Sequence, residues 1–424
     1  MSNTQRPPAI PRLGDKWLEF VGEGAANTVW ALHFIDDSGG DAYNQHVRQL
    51  CDGFLLRIQK HAKGGDSAIS ATDQLAYVQE TILPAFNNDA SLIVRQKLIQ
   101  VTQPLIDECN ALLAAMDDNS QPRRDEPPSA PLSSSPLPHP HLPRRAAKFV
   151  GSRVGPAGAH MLTQDMRPRR PERERFAEIK PKWLAQSPTA PRGATTCRNC
   201  AVAASRWHAA PADAKPKKSD PDRYGCPLRL VAPAPASAEG KEETRENGDK
   251  EKRENGAKEL TEGEAAEPWH GHAERIFRGE DARVARFLFA EIRRHEALRF
   301  LRDLQARFAR RDTFLATTPA APDEDLLVAM TLRDCSLFFR YEDGEDGALR
   351  LLDFRLADLD KKTPAKIPSW QKTERELIDG GWYEGKQGCG MPNCYLKEGR
   401  AEDETRADVT RLKDASKLGV AYRE

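Results

Sequence analysis

The 424-residue sequence predicts an α+β fold interrupted by two insertions. Three observations carry that prediction. Residues 17–35 read as strand, tight glycine loop and strand. Residues 71–116 and 282–308 carry apolar residues at the three-to-four spacing of buried helix faces. Residues 326–360 read as a β-hairpin around the turn DGEDG.

In chain order, WLEFV, GEGAAN and TVWALHFI form the strand–loop–strand unit, and GFLLRIQK adds a third strand. QLAYVQETIL and QPLIDECNALLAAM read as helical. Residues 117–147 are rich in Pro and Ser and too poor in apolar surface to offset chain entropy, so a disordered loop is expected. Residues 231–267 contain an imperfect repeat (TRENGDKE, KRENGAKE, LTEGEAAE) and are expected to be a solvated, disordered charged insertion. ARVARFLFAEIRRHEALRFLRDLQARF reads as helix, and LLVAMTLRDCSLFFRYE with ALRLLDFRLADLD as the two arms of the hairpin. The expected organisation is an N-terminal lobe over 1–116, the insertion at 117–147, and a C-terminal lobe over 148–424 that contains the second insertion.

Composition narrows the function. Apolar residues make up 39% of the chain, enough for a core, and charged residues 30%. Lys+Arg and Asp+Glu both number 64, and this zero formal charge argues against a general nucleic-acid or membrane-surface binder. A strong anion site must therefore be a local cluster. No apolar run reaches the roughly 18 residues that a membrane helix needs. The opening MSNTQRPPAIPRLGDKW lacks an apolar signal core, and the eight cysteines form no dense framework, so free thiols in a reducing compartment are expected.

Several residues carry candidate chemistry. Gly22 and Gly24 let backbone N–H groups approach a phosphate, and Asn27 is placed to close the loop. Because this loop joins two strands, it fits the phosphate-covering flap of kinase-like folds rather than a dinucleotide or Walker loop. Strand alternation sets Leu56, Ile58 and Lys60 on one face and Leu55, Arg57 and Gln59 on the other, so only one of Arg57 and Lys60 is expected to face the loop.

A hairpin centred near Glu345 and Asp346 puts Asp334 opposite Ala357, and therefore beside Asp358. Two carboxylates there suit phosphoryl transfer, one accepting the hydroxyl proton and the other holding Mg2+. Lys180 and Lys182 of EIKPK point to one side if the segment is extended. Arg198 and Arg206 face roughly the same way on a helix, and Lys361, Lys362 and Lys366 follow the DLD segment. Singly, each cation is more often a solvated surface residue; together they form a plausible multi-phosphate pocket.

GEGAAN, LLRIQK, the DM before EIKPK, RDCS and DLDKK, in that order, resemble the inositol-pentakisphosphate 2-kinase family, with the look of a fungal-type member carrying long insertions. The similarity covers most of the chain outside the two insertions, in short islands. It implies a two-lobed fold, distantly like protein kinases, and a phosphotransferase that uses ATP and Mg2+. The implied reaction converts inositol 1,3,4,5,6-pentakisphosphate into the hexakisphosphate, phytate, at the 2-hydroxyl. By the resemblance Gly22, Gly24, Ala25, Asn27, Arg57 and Arg275 are nucleotide contacts, Asp334 is the catalytic base, and Asp358 holds the metal. Lys180, Lys182, Arg198, Arg206, Lys362 and Lys366 would clasp the inositol phosphates. A monomer of nucleus and cytoplasm, without nucleic-acid or membrane partners, is implied. The other readings are a kinase for another inositol polyphosphate, or a kinase-shaped sensor; retention of both Asp334 and Asp358 favours an enzyme.

Four positions depart from the family pattern: Val202, the His272–Ala273 pair, Arg229 and Trp370 stand where the family has a histidine, an asparagine pair, an aspartate and a tyrosine. Some relatives carry a structural zinc, and Cys197 and Cys200 form one CxxC with Cys226 and His208 nearby. A single CxxC is a weak zinc signature, so free thiols are expected here.

Overall fold

The computed structural model describes residues 9–10, 16–34, 42–61, 69–120, 143–214, 217–232, 270–308, 324–344, 347–385 and 391–398. They form an α+β protein with two antiparallel-rich sheets and two compact units. The bulk of both expected insertions, residues 121–142 and 233–267, lies outside the described residues.

The first unit comprises residues 1–81 and 94–165. Its elements are β1 (Ala9–Ile10), β2 (Lys16–Glu23), β3 (Asn27–Phe34), α1 (Ala42–Cys51), β4 (Phe54–Gln59), α2 (Ala71–Tyr77), β5 (Gln96–Val101), α3 (Gln103–Ser120) and β6 (Gly158–Gln164). The strands lie in the order β1-β5-β6-β4-β3-β2, and only the β1–β5 pair is parallel. Trp30, Leu56, Ile58, Ile99 and Leu162 from the sheet pack with Leu105, Ile106, Cys109, Leu113 and Met116 of α3, whose spacing is that of a single helix face.

Two expectations change here. The region 71–116 is mainly helical as expected, but QKLIQV forms an unforeseen strand, β5, between two helices. The flanks of the first insertion are ordered: residues 117–120 continue α3, and Asp117 and Arg145 are buried.

The second unit comprises residues 82–93 and 166–424. Its sheet has the order β7 (Glu174–Ile179), β8 (Ser336–Asp343), β9 (Leu349–Ala357), all antiparallel. Around it run α4 (Arg198–Ala209), α5 (His270–Ile276), α6 (Ala282–Arg294), α7 (Glu296–Arg307), α8 (Glu324–Leu332) and α9 (Ile367–Asp379). The single helical stretch expected over 282–308 breaks at His295, whose Nδ1 accepts from Ala297 N at 3.2 Å and caps α7.

The first half of the expected hairpin arm is a helix. Residues Leu326–Leu332 are all buried in α8, so their continuous apolar run carries no period to separate strand from helix. β8 begins at Ser336, which pairs with Ala357. The expected register placed Asp334 opposite Ala357; an irregularity between Arg340 and Tyr341 accompanies the shift, and Asp334 sits in the turn before the strand.

This topology assembles one sheet end. Ile179 pairs with Leu337 and Ser336 with Ala357, so the exits of β7 and β9 lie beside the entry of β8.

Candidate active site

Three segments leave that sheet end, and each delivers a charged side chain. Lys180 and Lys182 follow β7, Asp334 links α8 to β8, and Asp358 follows β9. Lys180 Nζ donates to Asp334 O at 3.0 Å and to the Asp358 carboxylate. Lys182 Nζ donates to Asp334 Oδ1 at 2.9 Å, and Lys362 Nζ to Asp334 Oδ2 at 3.0 Å. Both Asp334 oxygens are therefore engaged by ammonium groups.

Lys182 (φ 56°) and Asp358 (φ 58°) both occupy the left-handed backbone region. Such residues cost on the order of 1–3 kcal/mol and persist where the surroundings dictate them. At Lys182 the surroundings are visible. Gln305, 1% exposed, donates through Nε2 to Lys182 O at 2.9 Å and Leu332 O at 3.0 Å, and its Oε1 accepts from Leu184 N at 2.8 Å. One buried amide thus ties the lysine loop to the end of α8. Thr331 Oγ1 donates to Asp360 O at 3.0 Å and holds the segment after Asp358.

Charge follows geometry. Burial opposes ionisation of Asp334, but the Lys362 charge and the hydrogen bonds from Lys182 and Lys362 outweigh it and hold the carboxyl well below its ordinary range. For Lys180, burial is likewise overcome by Asp358, so its pKa rises. Burial pushes the neighbouring Cys335 thiol up to about 12, which keeps it protonated.

In the first unit, the glycine loop is braced from beneath. Lys60 Nζ donates to Gly24 O at 2.9 Å and pairs with Glu23 at 2.6 Å. Arg145 pairs with Glu23 at 2.8 Å and with Asp117 at 2.6 Å. With its amide oxygen turned toward Arg57, Asn27 accepts from Nη2 at 2.7 Å and Nε at 3.2 Å. Both cations therefore reach the loop, contrary to the alternation argument. Lys60 lies one residue beyond β4, and its long side chain reaches back beneath the turn. Gly24 and Ala25 remain exposed.

The other expected site residues are spread more widely. Arg198, at the start of α4, is largely buried; its Nε pairs with Glu374 at 2.8 Å and its guanidinium lies 4.0 Å from the Trp183 ring centre. Glu374 also accepts from Ser187 at 2.8 Å, Thr189 at 2.6 Å and Tyr383 at 2.6 Å. Arg206 and Lys366 are exposed. Arg275 donates to Asp222 O at 3.0 Å and Gly271 O at 2.9 Å. Among the described residues, none of these four hydrogen-bonds to the Asp334–Asp358 group, whose partners are Lys180, Lys182 and Lys362.

A sequence model of the inositol-pentakisphosphate 2-kinase family matches residues 20–247 and 237–376. The chain belongs to that family. It is 31% identical over 220 residues to the inositol-pentakisphosphate 2-kinase of Yarrowia lipolytica, an alignment covering 52% of this chain and 56% of that protein. The chain thus matches little more than half the length of this curated relative.

The positions that depart from the family pattern have structural roles here. Val202 packs with Tyr383 and Leu377, Ala273 is fully buried, and Trp370 packs beside Trp183 and Ile367. Arg229 is 9% exposed and donates to Asn393 O at 3.4 Å. Cys197 and Cys200 converge with Cys226 and Cys394, while His208 lies outside this group and packs against Trp382.

Sequence reasoning missed Gln305, Glu374, Glu23, Arg145 and Cys394. Each works through a partner far along the chain, up to 197 residues away for Cys394 and Cys197. The only local signal was the presence of further cysteines beyond the CxxC.

Proposed function

We propose that the chain transfers the γ-phosphate of ATP to the 2-hydroxyl of inositol 1,3,4,5,6-pentakisphosphate, giving the hexakisphosphate. The observation that supports this most is the Asp334–Asp358 pair with Lys180, Lys182 and Lys362 gathered at one sheet end of a chain with no net charge. Family membership supplies the reaction class.

In this reading Asp334 accepts the hydroxyl proton. With both oxygens engaged by lysines it is a weak base. Substrate phosphates compete for Lys182 and Lys362, and as those ammonium groups turn to phosphate the carboxylate becomes free and more basic. Binding of the correct polyanion thereby prepares the base. Lys180 stays against Asp358 and keeps that carboxylate oriented. Arg206 and Lys366, exposed, and Arg198, once released from Glu374, extend the clasp on the phosphates.

The carboxylate of Asp358 is the kind of hard oxygen donor that suits a hard cation, so Asp358 is the residue that would hold Mg2+. Bound there, Mg2+ neutralises charge developing on the transferred phosphoryl group. Gly22, Gly24, Ala25, Asn27 and Arg57 form the nucleotide flap, with Arg275 a further nucleotide contact. The two units act as the lobes of a kinase-like fold, and the protein works as a monomer in nucleus and cytoplasm. No helix among the described residues is long and apolar enough to cross a membrane.

Binding and turnover separate the roles. Asp334→Asn is expected to bind both ATP and inositol pentakisphosphate in calorimetry while forming no product. Loss of inositol-phosphate binding on that substitution would contradict the role given to Asp334.

A further inference from the structure

We propose that Cys197, Cys200, Cys226 and Cys394 form a tetrathiolate zinc site that clips the 391–398 segment to the start of α4. The four sulfur atoms all lie within 4.8 Å of one another. Cys197 Sγ and Cys226 Sγ are 3.7 Å apart. A regular tetrahedron with Zn–S bonds of about 2.3 Å has edges of about 3.8 Å, so this edge already has the length a zinc ion requires. A quartet this tight accommodates a single ion, not a multi-iron cluster.

The surroundings are those of a closed structural site. Cys197 is 1% exposed, and Cys200, Cys226 and Cys394 are fully buried. Ala203, Ala204, Leu228, Met391, Tyr395 and Leu396 wall them in. All four cysteines are free thiols. The Cys197 N–H donates to Cys394 Sγ at 3.3 Å, the kind of backbone contact that supports a metal-bound thiolate. The ligands come from three separate stretches of chain, so one ion would tie together segments that sequence alone leaves apart.

Charge points the same way. Zn2+ held by four thiolates carries two net negative charges, and binding releases the thiol protons. Arg229, three residues after Cys226, is 9% exposed, lies 5.5 Å from the Tyr395 ring centre and donates to the carbonyl of Asn393, the residue before Cys394. A buried cation beside this quartet would offset the charge of a tetrathiolate.

The consequence for the site is positional. Cys197 immediately precedes Arg198, and the ion would fix the first turn of α4, from which Arg198 reaches Glu374. This inference stands independently of the kinase reading, because its readout is metal content and spectrum rather than turnover.

The test uses the full chain, purified and dialysed without added metal. Elemental analysis and native mass spectrometry are expected to find one zinc per chain. Replacement by Co2+ is expected to give the intense near-ultraviolet sulfur-to-cobalt bands and visible bands of a tetrahedral tetrathiolate. Cys394→Ser is expected to lose that spectrum, and Arg229→Met to weaken metal affinity roughly tenfold. The cobalt spectrum and a chelator titration of the unaltered chain need no variant, so a variant that fails to fold leaves the proposal testable. A metal-free chain with four titratable thiols, no cobalt bands and a melting temperature indifferent to chelator overturns it. So does a mass deficit showing two disulfides, and iron in place of zinc overturns the choice of metal.

Discussion

The ammonium of Lys182 lies 2.9 Å from the carboxylate of Asp334, and Lys182 makes that contact from a left-handed backbone with φ 56°. A lysine adopts this conformation at a cost, and the buried amide of Gln305 holds it there. The carboxylate and the lysine that engages it are thus positioned together.

Removing the base is expected to abolish turnover without removing nucleotide. Asp334→Ala should lower kcat by at least about 100-fold, the low end for loss of a general base. ATP affinity, followed by calorimetry, should stay within a few-fold. Equal loss of ATP binding and turnover would contradict the role of Asp334.

The pH dependence follows from the lysines. In the free enzyme Asp334 is held below the ordinary carboxylate range by Lys362 and Lys182 against the effect of burial. Its acid limb in kcat/KM is therefore expected below about pH 4. Lys362→Met removes the charge that favours the ionised form, so the limb should move to higher pH while overall kcat/KM falls. A limb that stays in place would mean that Lys362 does not set the acidity of Asp334.

Gln305→Leu tests the scaffold. The change leaves Lys182 O, Leu332 O and Leu184 N without their buried partner. Loss of roughly 1–3 kcal/mol of stability per unsatisfied group is expected in chemical denaturation. A larger rise in KM for inositol phosphate than for ATP should accompany it. Wild-type stability would show that water or a shifted loop replaces the amide.

Glu374→Ala removes the acceptor of Arg198, Ser187, Thr189 and Tyr383. Breaking one side of a buried ion pair costs about 3–5 kcal/mol. The folded-state pKa of Glu374 is depressed: burial opposes this, but the Arg198 charge and the three hydroxyl donors prevail. Its contribution is therefore present above the unfolded-state pKa and lost as pH falls through the folded one. The variant should melt lower than the wild type at neutral pH, with the gap closing in acid. A constant gap would remove the ionised pair as the cause.

The glycine loop supplies the fifth contrast. Arg145→Met leaves Glu23 with Lys60 alone beneath Gly24. KM for ATP should rise roughly tenfold, the effect of about 1.4 kcal/mol, with less change in KM for inositol phosphate. Steady-state kinetics with each substrate varied in turn would show whether the loop is the nucleotide element.

The strand–loop–strand start was legible because alternation and glycine both act locally. β5 was not, since QKLIQV is short and flanked by helices. Leu326–Leu332 misled because a continuous apolar run carries no period. Asp334 and Asp358 could be paired from hairpin logic, yet the residues that orient the group could not. Gln305 lies 121 residues from Leu184, and Glu374 lies 176 from Arg198. Left-handed backbone at Lys182 has no residue-type signature, as it would at glycine, asparagine or aspartate. Cys394 was invisible for the same reason of distance.

The most direct test incubates the purified chain with ATP, Mg2+ and inositol 1,3,4,5,6-pentakisphosphate and separates the products by anion-exchange chromatography. The expected result is inositol hexakisphosphate from the wild type and none from Asp334→Ala. Pentakisphosphate recovered unchanged from the wild type, or hexakisphosphate formed equally by Asp334→Ala, would contradict the account.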